Sequence, residues 1–346
     1  MAIAPVGGVR PTPYASPVTP VAPVQARNGV QTEPVSPISP AHRAAQQVLA
    51  QAAGQAATRQ GAIAPLFADL GRAVGGNLLP ADVREAAQRL LGEGLALSPD
   101  LQGDDIASAF QRSGLFLENG LATAPGRSPL GADLKADMLA LRAALAAWLG
   151  ADASRSAART ALAAPPPFRL GPTSAQKPAS ATLDEEGDPR HAGEILGEEL
   201  EAAIARHELL QLASTDPDQG KGGSGRRWMF EIPFRRDGEA LMAQMEISEE
   251  EPGDPAAPLG RSWRARFSLQ LAPLGPLHAQ ISLRGEHLSA TIWAEDPASA
   301  GVLRLGQPLL AAALREKGLS CDLHVLPGAP AAPASAPAGR FLDHSA

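Results

Sequence analysis

Residues Pro273–Asp296 read PLGPLHAQISLRGEHLSATIWAED, and this stretch decides the fold of the C-terminal half. On one side of the Arg284-Gly285-Glu286-His287 step lie Leu277, Ala279, Ile281 and Leu283; on the other lie Leu288, Ala290, Ile292 and Ala294. Apolar residues at every second position mark strands with one buried face. Gly285 and Glu286 form a two-residue loop with glycine first, which suits a type II′ turn. That turn sets Arg284 opposite His287, Leu283 opposite Leu288 and Ile281 opposite Ala290. The apolar faces of both strands then coincide, and a slip of one residue would mismatch every pair.

Working outward, the same alternation recurs at Trp228, Phe230, Ile232 and Phe234, and at Leu241, Ala243, Met245 and Ile247. It returns at Trp263, Ala265, Phe267, Leu269 and Leu271, and last at Leu319, Cys321, Leu323 and Val325. Six such segments predict an α+β domain over 190–327, an antiparallel or mixed sheet of about six strands with helices on one face. Asp296 suits an N-cap with Pro297 at the first helical position. In the helix that follows, Val302, Leu303, Leu309, Leu310, Ala313 and Leu314 offer apolar surface. Pro308 predicts a break or kink near Gly306, and Gly318 an end. A second helix, 191–213, places Leu196, Leu200, Ala203 and Ile204 on one face and Glu198, Glu199 and Glu201 elsewhere.

The chain before this domain is written in smaller residues. Residues 1–40 carry a proline every few positions and read as a disordered, solvated arm. From 41 to 150 the pattern is helical, with segments at 41–57, 63–74, 81–91 and 100–111. The strongest helix of this region places Leu134, Met138, Leu141, Leu145 and Trp148 in one stripe. Residues 151–189, with APPPFRLGP and LDEEGDP, read as a proline-rich and acidic linker, and 328–346 as an alanine- and proline-rich disordered tail. The N-terminal half is thus expected to be mostly helical and partly disordered.

Composition excludes several functions. The 346 residues include 33 prolines and 34 glycines with 4% aromatics, so less core is available than the length suggests. A net charge of -7 argues against nucleic acid as a partner, because phosphate binding needs a basic excess. One cysteine, Cys321, supports neither a disulfide framework nor a thiolate zinc site. The start, MAIAPVGGVRPTPYASP, lacks the basic stretch and apolar run of about 7–15 residues of a signal peptide. The longest apolar run, 138–149, is shorter than the ~20 residues of a membrane span, so the protein is not read as membrane-embedded.

Catalytic motifs are incomplete. His207-Glu208 begins an HExxH-like string, but Gln211 replaces the second ligand, and a solvated helix face is the expectation. GKGGSG, from Gly220, has its lysine before the glycines and reads as a flexible link. His278, His287 and His324 take polar strand positions without a supporting carboxylate spacing. No nucleophile is spaced with a base, so no enzyme activity, metal or cofactor is expected. The residues that suggest an interaction surface are Trp293, on the polar side of its strand, and Arg264, Arg266 and Arg284, which would make that face basic.

The order of elements from RSWRARFSLQLAPLGPLHAQISLRGEHLSATIWAED to VLRLGQPLLAAALREKGLSCDLHVLPG resembles the C-terminal domain of bacterial flagellar hook-length control proteins. Leu274 and Gly275, Leu314 and Arg315, and Gly318 and Leu319 match its pattern. WMFEIPF resembles its first strand, and SGLFLENGLA and DLKADMLALRAAL resemble segments that precede it in longer members. The resemblance implies a non-enzymatic regulator made in the cytoplasm and exported through the flagellar type III apparatus without a cleaved signal peptide. It further implies a switch from rod and hook to filament substrates through contact with the export-gate switch protein, with hook and hook-cap subunits as further partners. A cytoplasmic adaptor binding proteins through the open sheet face and the proline-rich arm is the alternative.

Overall fold

A computed structural model describes residues 40–123, 133–150, 164–167, 171–215, 226–250 and 262–331. The expected arm at 1–40, apart from its last residue, the GKGGSG link and most of the tail fall outside them. The first half supplies helices α1 (Pro40–Arg59), α2 (Ala64–Gly75), α3 (Ala81–Gly92), α4 (Gly103–Gln111), α5 (Leu117–Thr123) and α6 (Leu134–Leu149). Between α3 and α4 lies a two-residue strand, β1 (Leu95–Ala96). The second half begins with α7 (Pro189–Ser214). It continues with β2 (Arg227–Arg236), β3 (Glu239–Glu250), β4 (Ser262–Leu271), β5 (Gly275–Arg284), β6 (His287–Ala294), α8 (Pro297–Glu316) and β7 (Ser320–Pro327).

The strands form one mixed sheet in sequence order. β2 to β6 run as an antiparallel meander, β1 adds to β2 in parallel, and β7 returns through α8 to lie parallel to β6. The α+β class and the six anticipated strands are all present, with β1 as a seventh. The opening hairpin takes the anticipated register, Arg284 against His287, Leu283 against Leu288 and Ile281 against Ala290. Gly285 has φ +58, the left-handed value a type II′ turn asks of its first loop residue. The β2–β3 turn is Asp237-Gly238, both at positive φ, the chemistry of a type I′ hairpin.

Helices occupy both faces of this sheet, where alternation suggested one. On the face of Phe230, Phe267 and Ala279, α4 covers one end: Ala109 and Phe110 pack on Phe230, Ile232, Phe234 and Leu241. At the other end α8 places Ala300 and Leu303 against Leu277, Ile292, Ala294 and Val325. The opposite face is covered over β2 and β3 by α7, where Leu210 and Ala213 meet Met229. In the largest core, α2, α3 and α6 pack with α7 and with Ala240 and Met242 of β3. The reason is visible in β2: Met229 through Phe234 are all buried, so both parities face a layer of protein.

The stripe of α6 behaves as its spacing requires, with Leu134, Met138, Leu141 and Leu145 buried and Trp148 packed beside them. Trp148 lies so close to Gly193 that a methyl built there would sit 2.5 Å from its ring. On α7, Leu196, Leu200, Ala203 and Ile204 are buried as expected. In the stretch read as a linker, residues 171–188 form a strap across the sheet and helices. Ala179 pairs with Ala240 of β3, and Ser174 donates to the side chain of Gln244. Thr173 meets Ser268 at 2.8 Å, and Thr182 and Leu183 donate to Asp69 of α2. Pro172 and Pro178 supply no amide donor, and the segment docks through these single contacts rather than a regular ladder. The described residues from Ala44 onward form one compact unit.

Candidate functional site

Two buried polar centres hold α7 to the rest of the molecule. Arg206 and Glu231 of β2 are both 0% exposed at the side chain and join at 2.6–3.0 Å through two guanidinium nitrogens. The remaining Arg206 donor serves Gln60 Oε1 and the Pro165 carbonyl, and Gln176 of the strap donates to Glu231. Burying two charges is tolerable only when every donor and acceptor is met. Nearby, Asp69 accepts three strap hydrogen bonds, and the Glu199 carboxyl lies against it. Burial, reinforced by the charge of Asp69, pushes the Glu199 carboxyl up to about 9.

His207 corrects the expectation of a solvated helix face. It is 2% exposed, packed against Gly114, with its imidazole held down to about 4 chiefly by burial. Lys135, Glu118 and Gln211 form a hydrogen-bonded cluster beside it. Among the described residues no three His, Cys, Asp or Glu side chains come together as a metal shell. His278 bonds Ser268 and Glu295, while His287 meets Ser320 and Asp322, so the strand histidines serve separate contacts.

The four interaction residues read from the sequence share the face opposite α8, as alternation required, but do not form one free basic patch. Arg266 of β4 makes a two-pronged contact with Glu246 of β3 at 2.6 and 2.8 Å, and Arg227 of β2 joins the same carboxylate. Glu246 is 1% exposed, so these arginines neutralise a buried charge across three strands. Arg264 lies in register with Ser248 and Ser282. Arg284 is exposed at the hairpin tip. Trp293 is half-buried rather than exposed, opposite His278 on one side and Leu326 on the other.

Five of the six positions that resemble the family pattern, Leu274 excepted, serve the backbone. Gly275 enters β5 at φ +76, where a Cβ is disfavoured. Leu314, Arg315, Gly318 and Leu319 build the C-cap of α8. Leu319 N donates to Leu314 O at 3.1 Å and Gly318 N to Arg315 O at 2.9 Å, with Gly318 at φ +81. This is the Schellman arrangement, which satisfies two carbonyls a helix end otherwise leaves open. At the other end Asp296 caps α8, accepting from Ser299 N and Oγ. Those hydrogen bonds, the side-chain one first, hold its carboxyl below the usual range.

α8 itself departs from expectation in two ways. It runs unbroken through Pro308. Pro308 removes the hydrogen bond to the carbonyl of Arg304, and both residues lie on the exposed side, where water can serve that carbonyl. Moreover, Ala300, Leu303, Gln307, Ala311 and Leu314 face the sheet at spacings of three and four. Of the apolar residues assigned to that role, Val302 is 58% exposed, Leu309 76% and Leu310 41%, and Ala313 is also exposed. With Leu305, 82% exposed, Val302 and Leu309 make a second apolar stripe facing solvent. The signal was present in the spacing: a helix with large apolar residues in two stripes can turn only one towards a sheet.

No curated protein and no solved structure matches the chain. No described helix is long and apolar enough to cross a membrane. Residues 256–330, which take in β4, the hairpin, α8 with its C-cap, and β7, match the family described as flagellar hook-length control protein FliK, and the C-terminal part of this chain is therefore similar to that family.

Proposed function

We propose that this protein controls flagellar hook length as an exported, non-enzymatic regulator, and that its C-terminal unit switches the type III export apparatus from rod and hook to filament subunits. The observation that carries this reading is the coincidence of the family match at 256–330 with β4–β7 and α8. Within that unit the solvent-facing stripe of Val302, Leu305 and Leu309 is the docking surface for the export-gate switch protein. Isolated apolar residues are ordinary on a surface, whereas three aligned on one helix mark an interface. Arg284, at the hairpin tip, and Trp293 lie on the other face and would serve a second contact. Hook and hook-cap subunits are further partners on this reading.

The test removes residues 262–327. The cut spares α7, β2 and β3, which the N-terminal helices need for their core. Overlong hooks without filaments are the expected phenotype, and filaments on hooks of ordinary length would overturn the assignment. Leu305→Glu with Leu309→Glu should reproduce the phenotype while the protein still appears in the culture medium.

A further inference from the structure

β7 is the last strand of the sheet, and among the described residues nothing pairs with its far side as a strand. Ser320 N donates to Glu286 O of the preceding turn at 2.9 Å, and Gly328 N to Ala294 O of β6 at 2.8 Å. In a regular strand the backbone groups of successive residues point to alternate sides, so the even-numbered residues of β7 bond to β6. Cys321, Leu323 and Val325 therefore turn their N–H and C=O groups outward. An open edge of this kind is a template for pairing with another chain.

Two of these outward carbonyls are already occupied. Gln307 Nε2 donates to Leu323 O at 2.7 Å, and Arg304 Nε donates to Val325 O at 3.2 Å. Both donors come from α8, which runs antiparallel to β7. Three helical residues rise about 4.5 Å and two strand residues about 6.7 Å, a difference the long Arg304 side chain spans. Hydrophobic packing of α8 is carried by other residues, Ala300 and Leu303.

We propose that Arg304 and Gln307 form an edge guard that keeps β7 from pairing with the β7 of a second copy of this chain. The second copy is the partner that fits, because every copy presents the same three outward N–H groups. Two such edges meet antiparallel about a two-fold axis, a self-complementary contact. With the guard in place, a second strand would compete with side chains tethered beside their acceptors.

The experiment compares the full chain with the Arg304→Ala/Gln307→Ala variant by light scattering after size exclusion, over a range of concentrations, with amide exchange read on β7. The parent is expected to stay monomeric, with fast exchange at Cys321, Leu323 and Val325. The double variant is expected to double in mass as concentration rises, with those three amides becoming protected. Adding Cys321→Pro, which removes an outward donor and no bond to β6, should return it to the monomer. Gln307→Glu keeps the side-chain volume and sets a carboxylate against the Leu323 carbonyl. It should open the edge even if the alanine variant folds poorly. A parent that already dimerises through β7 overturns the proposal, as do folded guard variants that remain monomeric with unprotected amides.

Discussion

Replacing Arg206 with methionine tests how α7 is held to the sheet. The substitution keeps much of the side-chain volume but leaves Glu231 fully buried with Gln176 as its remaining hydrogen-bond partner, and strips donors from Gln60 and the Pro165 carbonyl. Removing one partner of a buried ion pair costs about 3–5 kcal/mol. Against a total stability of about 5–15 kcal/mol, that is a large share. Urea unfolding followed by circular dichroism reads it as a lower midpoint at an unchanged slope. Arg206→Met combined with Glu231→Leu removes both charges, and replacing a buried pair by apolar residues is often neutral or stabilising. The double variant should therefore recover most of the loss. A loss below about 1 kcal/mol for Arg206→Met, or a double variant as unstable as the sum of the singles, would refute the reasoning.

Three other outcomes are expected. Glu199 holds its proton up to about 9 in the folded protein and to near 4.5 when unfolded, so its contribution to stability is complete below 4.5 and is lost as pH rises towards 9. Glu199→Gln should flatten that decline in a urea-midpoint series against pH. His207, on the same helix, acts oppositely, with stability lost as pH falls from 6.5 towards 4. Gly318→Ala places a Cβ at φ +81 in the C-cap of α8 and should lower stability by about 1 kcal/mol, measured by the same unfolding series. An unchanged midpoint would show that α8 does not need that cap.

What could be read from the sequence was local. The hairpin at 284–287, the stripe of α6 and the Asp296 cap each depend on residues within a few positions of one another, and their spacing states their geometry. What could not be read depends on distant partners. β1 is two residues long and is a strand only because β2 lies beside it. Glu231 looked like the wet side of a strand because its counter-charge, Arg206, lies in a helix 25 residues earlier. Arg266 looked available for a partner because Glu246 sits on another strand. The strap was hidden for a further reason: a segment of small and polar residues is compatible with both solvation and docking, and the choice is made by partners elsewhere in the chain.

The core that α2 shares with Met242 of β3 sets a condition on synthesis. The alanine-rich helices of the first half leave the ribosome long before the strand they need. Closing so distant a contact is slow, since loop-closure entropy must be met before any burial rewards it. A nascent chain of 200 residues therefore has nowhere to complete its largest core. If export receives such a chain from its leading end, it meets a thread whose final knot has yet to be tied.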